Sequence, residues 1–284
     1  MLELRNRPIG VFDSGVGGLT VVSAVLSALP HERIVYLGDT ARVPYGNRSE
    51  KTVLRFSRNA ARFLLRHHVK LVLIACNTAS AAALSALVDE LPVQVLGAVE
   101  PGATAAVQKT RNGVVGVLGT LATIRSEAYK RALLALDPTL KLHALPCPLL
   151  VPLVEEGFTD PDDPITLLVI ERYLSALKHS APDLDTLVLG CTHYPLLRPA
   201  LQKVAARLFS QPIDLVDSAR AMAQATTRLL EETNLLAGPP TEVGPNQAPS
   251  LDRLRCYLTD EARAAEIAAR FLGFSLPHLE LVDL

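Results

Sequence analysis

The chain has 284 residues, 49% of them hydrophobic, which is enough apolar material for one large core or two of ordinary size. Its 28 Lys and Arg stand against 29 Asp and Glu, a formal net charge of −1, so no basic field marks a nucleic-acid or anionic-membrane partner and a small-molecule partner is expected. The opening MLELRNRPIGVF places charges before a short apolar run that leads directly into Asp13, unlike a secretory signal or a spanning helix, so a cytoplasmic protein with no membrane segment is expected.

In chain order, the first apolar run, Ile9 to Phe12, ends in Asp13-Ser14-Gly15-Val16-Gly17-Gly18-Leu19-Thr20. Such a small-residue turn between a strand and a helix can bring backbone N–H groups close to a carboxylate or phosphate. It lacks the GK[ST] of a nucleotide-binding loop, and Thr20 stands where a dinucleotide fingerprint wants Gly or Ala. A second run, Ile34 to Leu37, leads to Asp39. Asn47-Arg48-Ser49-Glu50 offers a helix cap with a glutamate three residues on, followed by Val53, Phe56, Ala60, Ala61 and Leu64 at helical spacing. Further strand-like runs are Leu71 to Ala75, Val93 to Leu96, Val114 to Leu118 and Leu187 to Leu189. Short Val/Ile/Leu runs alternating with helical stretches predict an α/β fold of mainly parallel sheets covered by helices.

Near the C-terminus, Ala237 to Pro249 is dense in Pro and Gly and reads as a surface loop. A final unit follows: a strand Leu254 to Leu258, a helix Glu261 to Leu272 capped by Thr259-Asp260 with a Glu266/Arg270 pair, and a last strand Leu279 to Val282. Two likenesses suggest internal duplication: Pro8 to Phe12 with Val114 to Leu118, and Leu73 to Thr78 with Val188 to His193, at offsets of 106 and 115 positions. The expected division is a first domain from residues 1–99 plus 208–284 and a second from 100–207.

Cys76 and Cys191 each end a strand and are followed by small polar residues, Asn77-Thr78 and Thr192-His193, where a helix is expected to start. A helix N-terminus lowers a thiol's pKa and favours the reactive thiolate. Either cysteine alone reads equally as a small buried hydrophobe; the matched pair points to chemistry. Both cysteines, Asp13 and Ser14 fall at strand C-termini, where open α/β sheets bind ligands. Neither CxxC pairs nor zinc-ligand spacing occurs, so reduced thiols and no metal are expected.

The ordered blocks IGVFDSGVGGLTV, YLGDTARVPYGNRS, ACNTASA, PLVEEG and LGCTHYPLL resemble the glutamate racemase family, from Ile9 to about Ser218. The resemblance implies two α/β domains related by a pseudo-two-fold axis with the active site in their cleft, no metal or other cofactor, and D-glutamate destined for peptidoglycan. It implies Cys76 and Cys191 as proton donor and acceptor for the D- and L-enantiomers respectively, assisted by Asp13, Glu155 and His193. It implies substrate contacts from Asp13, Ser14, Asp39, Tyr45, Gly46, Asn77, Thr78, Thr120, Thr192 and His193, with L- or D-glutamate as the ligand and a homodimer as a common form. Glu155 rather than Glu156 follows from the register of the PLVE block.

Two-face proton exchange needs two bases, and a thiol with an ordinary pKa of about 8.5 can serve as either partner near neutrality. Three readings compete: a racemase for aspartate or another small amino acid, separated by substrate profiling; an amino-acid-binding module, in which Cys76→Ser would leave binding intact; and a cysteine amidase using Cys191 and His193, which leaves Cys76 unused.

Overall fold

The computed structural model describes residues 2–239, 253–261, 264–274 and 279–284. Ten strands form two sheets: β1 (Ile9–Asp13), β2 (Ile34–Gly38), β3 (Leu71–Ile74), β4 (Gln94–Gly97), β5 (Val114–Gly119), β6 (Lys141–Pro146), β7 (Thr186–Gly190), β8 (Asp214–Asp217), β9 (Leu254–Leu258) and β10 (Leu279–Leu281). The six-stranded sheet runs β10-β9-β2-β1-β3-β4 and the four-stranded sheet β6-β5-β7-β8. Every strand pair in both is parallel. The central strands β1, β3, β5 and β7 are buried along their whole length, which is why they read as unbroken apolar runs: helices cover both of their faces.

The order β2-β1-β3-β4 recurs as β6-β5-β7-β8, and the two internal sequence likenesses fall on equivalent strands, β1 with β5 and β3 with β7. Each half therefore switches direction between equivalent strands, opening a crevice beyond their carboxyl ends. β9 and β10 extend the first sheet beyond β2, as the register Ile34↔Leu254 places them. The helix Ser218–Glu232 packs on both Leu19–Ala28 of the first half and Val99–Lys109 of the second, joining the two at their base.

Several local expectations change. β6 and β8 were not legible as strands: β6 is an edge strand with partly exposed positions and a terminal proline, and β8 has only Leu215 and Val216 between two aspartates. Because β8 pairs with β7, the second sheet extends to Asp217, ten residues past Arg207. The helix Glu50–Arg66 is capped by Ser49, whose hydroxyl accepts the Thr52 N–H; Asn47 lies earlier, in a 3₁₀ turn Tyr45–Asn47. The last helix is described over Ala264–Leu272 with its Glu266/Arg270 pair at 3.6 Å, while residues 262–263 and most of the Pro/Gly-rich loop, 240–249, lie outside the described residues. Thr259, expected at its cap, instead donates to Asp39 Oδ1.

At the opposite end of the strands, Lys70 and Glu32 form an ion pair with side chains 0% and 2% exposed. Lys70 Nζ also donates to the carbonyls of Arg5 and Leu235, and Glu32 accepts from the Ala237 N–H. The pair ties the N-terminus and the segment after Ser218–Glu232 to the first sheet. Glu32→Ala leaves an ammonium buried without its counter-ion and should cost about 3–5 kcal/mol in urea unfolding; a loss below about 1 kcal/mol would show that the lysine escapes to water.

Candidate active site

Asp13 ends β1 and is buried, and the small residues after it let the chain fold back so that Gly15 N–H donates to its Oδ2 at 3.0 Å. Its Oδ1 has no hydrogen-bond partner among the described residues. Burial pushes the carboxyl above its ordinary value against the pull of the His193 charge and of the Gly15, Gly18 and Ser14 amides. Tyr36 on β2 holds the loop by donating to the Gly15 carbonyl at 2.7 Å.

On the neighbouring strand, Cys76 follows β3 and caps the helix Asn77–Glu90, its sulfur accepting the Ala79 N–H at 3.5 Å and its thiol donating to Ser14 Oγ at 3.5 Å. A helix N-terminus alone would favour the thiolate, but burial, with the Asp13 charge second, outweighs it and lifts the thiol to about 12. Cys76 is therefore a thiol at neutral pH.

Cys191 occupies the equivalent place after β7, with different company. Its sulfur lies 4.0 Å from His193 Nδ1, and His193 Nε2 meets Glu155 Oε1 at 3.0 Å. Burial by itself would strip the imidazole of its proton, but the hydrogen bonds and charges of Cys191 and Glu155 outweigh it and raise His193 to about 10. His193 is thus a cation at neutral pH, with its Nδ1 facing the Cys191 sulfur. Glu155 of the PLVE block closes this chain.

A group whose folded-state pKa lies above its unfolded value adds stability that is complete below about pH 6.5 and fades as pH rises toward 10. Glu155→Gln removes one partner of the imidazolium, so His193 deprotonates at lower pH. The alkaline limb of kcat/KM should move to lower pH, and the stability gap to the wild-type protein should be widest near pH 6.5 and close toward pH 10. An unmoved alkaline limb would remove His193 from the proton chemistry.

The two halves also touch beside the crevice. Thr120 follows β5 and caps the short helix Leu121–Arg125. Its hydroxyl lies 2.9 Å from that of Thr78, and both reach Thr123 Oγ1. A Cβ on Gly46 would stand 2.9 Å from Thr120 Cβ, so Tyr45-Gly46 also abuts the second half. Asn77 Oδ1 accepts from Tyr129 OH at 2.7 Å, while its buried Nδ2 has no partner among the described residues. Asp39 stands apart from this group: its Oδ2 accepts from Tyr45 OH and lies 3.5 Å from Arg42, and its Oδ1 accepts from Thr259. Its oxygens hold Tyr45 and Thr259 in place.

Asp13, Ser14, Cys76, Asn77, Thr78, Thr120, Cys191, Thr192 and His193 thus gather around one crevice, with Glu155 behind His193. Sequence reasoning missed the residues that hold the two halves together there. Thr20 Oγ1 donates to the Thr192 carbonyl at 3.1 Å, and Gly17 lies directly against Thr192 and His193. From the C-terminal unit, Phe271 packs edge-on against His193 with ring centroids 5.0 Å apart, and Arg270 donates to the Glu155 carbonyl at 2.8 Å. The cap and the Glu266/Arg270 pair that mark the last helix in the sequence say nothing of what it faces.

The profile of the Asp/Glu/Hydantoin racemase family matches residues 13–226. A glutamate racemase of Syntrophus aciditrophicus is 49% identical over 279 residues, covering 98% of this chain and 97% of that protein. The crystal structure of a glutamate racemase isoform from Bacillus anthracis superposes with a TM-score of 0.87 at 37% identity, over 99% of this chain and 98% of that one. That of the Francisella tularensis glutamate racemase in complex with D-glutamate gives 0.85 at 36% identity, over 98% of each. With the crevice and its cysteine pair lying inside the matched span, the chain belongs to the Asp/Glu/Hydantoin racemase family.

Proposed function

We propose that this chain interconverts L- and D-glutamate by two-base proton transfer, and the observation that carries the reading is the contrast between its two strand-end cysteines. Cys191 beside the His193 cation is suited to be the thiolate, and Cys76, lifted to about 12, is suited to be the thiol. In the L-to-D direction the Cys191 thiolate takes the α-proton on one face while the Cys76 S–H delivers a proton to the other. The product state then holds a Cys191 thiol and a Cys76 thiolate. Asp13, its carboxyl pushed above the ordinary value by burial, and His193 restore the starting state by proton exchange with solvent.

The carbanion is hard to form because the substrate carboxylate is already negative. The N-terminus of Asn77–Glu90 and the amides of the loop after β1 can offset that charge. The orphaned Asn77 Nδ2 supplies a donor for a carboxylate, and Asp13 Oδ1 an acceptor for the α-ammonium. Burial of both cysteines, each 6% exposed, keeps water from the reacting carbon.

The choice of glutamate over aspartate rests on the near-full-length likeness to glutamate racemases. No described helix is long and apolar enough to cross a membrane. The family resemblance extends the reading to a cytoplasmic enzyme, homodimeric, that supplies D-glutamate for peptidoglycan. The test is circular dichroism of L- or D-glutamate incubated with chelator-treated protein and no added cofactor. Decay to zero from both enantiomers is expected; decay with aspartate alone would replace the substrate, and silence with both would leave a binding protein.

A further inference from the structure

The strand ends facing away from the catalytic crevice hold a concentration of positive charge that the balanced composition does not foreshadow. A cavity there is lined by Arg7, Arg33, Arg253 and Arg255 with His67 and His68, against Glu3 as the one acid of its lining among the described residues. Sheet register produces the cluster: Arg33 and Arg253 immediately precede the paired residues Ile34 and Leu254, and Arg255 pairs with Val35. Neighbouring strands lie about 4.8 Å apart, so these side chains leave the sheet from adjacent positions.

Backbone carbonyls brace them without cancelling their charge. Arg33 donates through one N–H to the Asn6 carbonyl, and Arg253 Nη1 to the carbonyls of Pro30 at 2.6 Å and Leu29 at 3.5 Å. Arg7 lies 3.7 Å from Glu3, a carboxylate 92% exposed and screened by water. Arg255 pairs with no acid among the described residues. The local field is visible at His67, held below its ordinary value by burial first and then by Arg255, Arg66 and His68, over the opposing pull of Glu280.

We propose that this cavity binds a multiply charged phosphate group, free or carried on a small metabolite. A guanidinium presents paired donors that match phosphate oxygens, and several fixed guanidiniums leave a singly charged carboxylate short of compensation where a phosphate dianion meets them. The site is separate from the catalytic crevice, since β1 runs from its edge near Pro8 to Asp13, roughly 15 Å at the usual rise. It stands whether or not the chain racemises glutamate.

The experiment is calorimetric titration of the full chain at low salt with inorganic phosphate and, separately, with ADP. Saturable binding of at least one is expected, weakening as salt rises. Arg33 and Arg255 are exposed, so an Arg33→Ala/Arg255→Ala variant should keep its fold and lose about tenfold in affinity for each arginine removed, with KM for glutamate unchanged. Should the double variant fold poorly, Arg255→Gln alone is expected to weaken binding about tenfold. Phosphate and ADP binding equally would point to the free ion, and ADP binding more tightly to a metabolite. Absence of binding by both, or unchanged affinity in the variants, would overturn the proposal.

Discussion

Replacing Cys76 or Cys191 by alanine is expected to lower racemisation by about 10²–10⁴ in both directions while the protein stays folded. Each thiol serves one face of the α-carbon, so one remaining base can remove a proton and return it but cannot invert the centre. L- and D-glutamate have equal free energy in water, so kcat/KM must fall by the same factor from either side, and a direction-specific loss in that ratio is not allowed. Isotope exchange in D₂O does distinguish the two variants. With Cys191 assigned to the L-face, Cys76→Ala should wash deuterium into L-glutamate without inversion and leave D-glutamate untouched, and Cys191→Ala should do the reverse. Cys147 and Cys256 are equally buried but lie outside the crevice contacts described, so Cys147→Ala should alter stability and spare turnover. A folded Cys147→Ala protein with activity lowered a hundredfold would mean that the wrong pair carries the chemistry.

Gly17→Ala should be nearly as damaging without touching a reacting group. A Cβ there would collide with Thr192 Oγ1 and stand 2.5 Å from the His193 ring. One of two adjustments must follow. Either the loop after β1 withdraws and loses the Thr20 hydrogen bond to the Thr192 carbonyl, or His193 moves away from Cys191 and Glu155. Displacing a catalytic group by about 1 Å costs about a hundredfold in rate, and kcat should fall by that order with the melting curve little changed. Gly238→Ala is the control, because nothing among the described residues lies within 4 Å of its added carbon. A Gly17→Ala enzyme within threefold of wild-type activity would show that the halves need not meet at this contact during turnover.

The parts of the fold legible in the sequence are those whose burial is complete. β1, β3, β5 and β7 are covered on both faces, so each is an unbroken apolar run, and the duplication is visible because both halves need such strands at equivalent places. β6 and β8 stand at sheet edges, where partial exposure admits Lys141, His143 and aspartates and dissolves the pattern. The site divides likewise. Asp13, Cys76 and Cys191 announce themselves by ending strands, and His193 by following one closely. The role of Glu155 came through family resemblance, since nothing local ties a helix-terminal glutamate to a histidine 38 positions on. Thr20, Tyr129, Arg270 and Phe271 were illegible for a related reason: each touches its partner across the chain's two halves, and such contacts leave no local periodicity.

The central claim is that two cysteines act on opposite faces, and the most direct test follows the α-hydrogen in D₂O with L-glutamate at low conversion. The account predicts D-glutamate carrying solvent deuterium at the α-carbon while recovered L-glutamate remains protiated, because the proton is removed by one thiolate and replaced from the other thiol. D-glutamate that retains the original proton would contradict it, since a single base would then have carried that proton across the substrate.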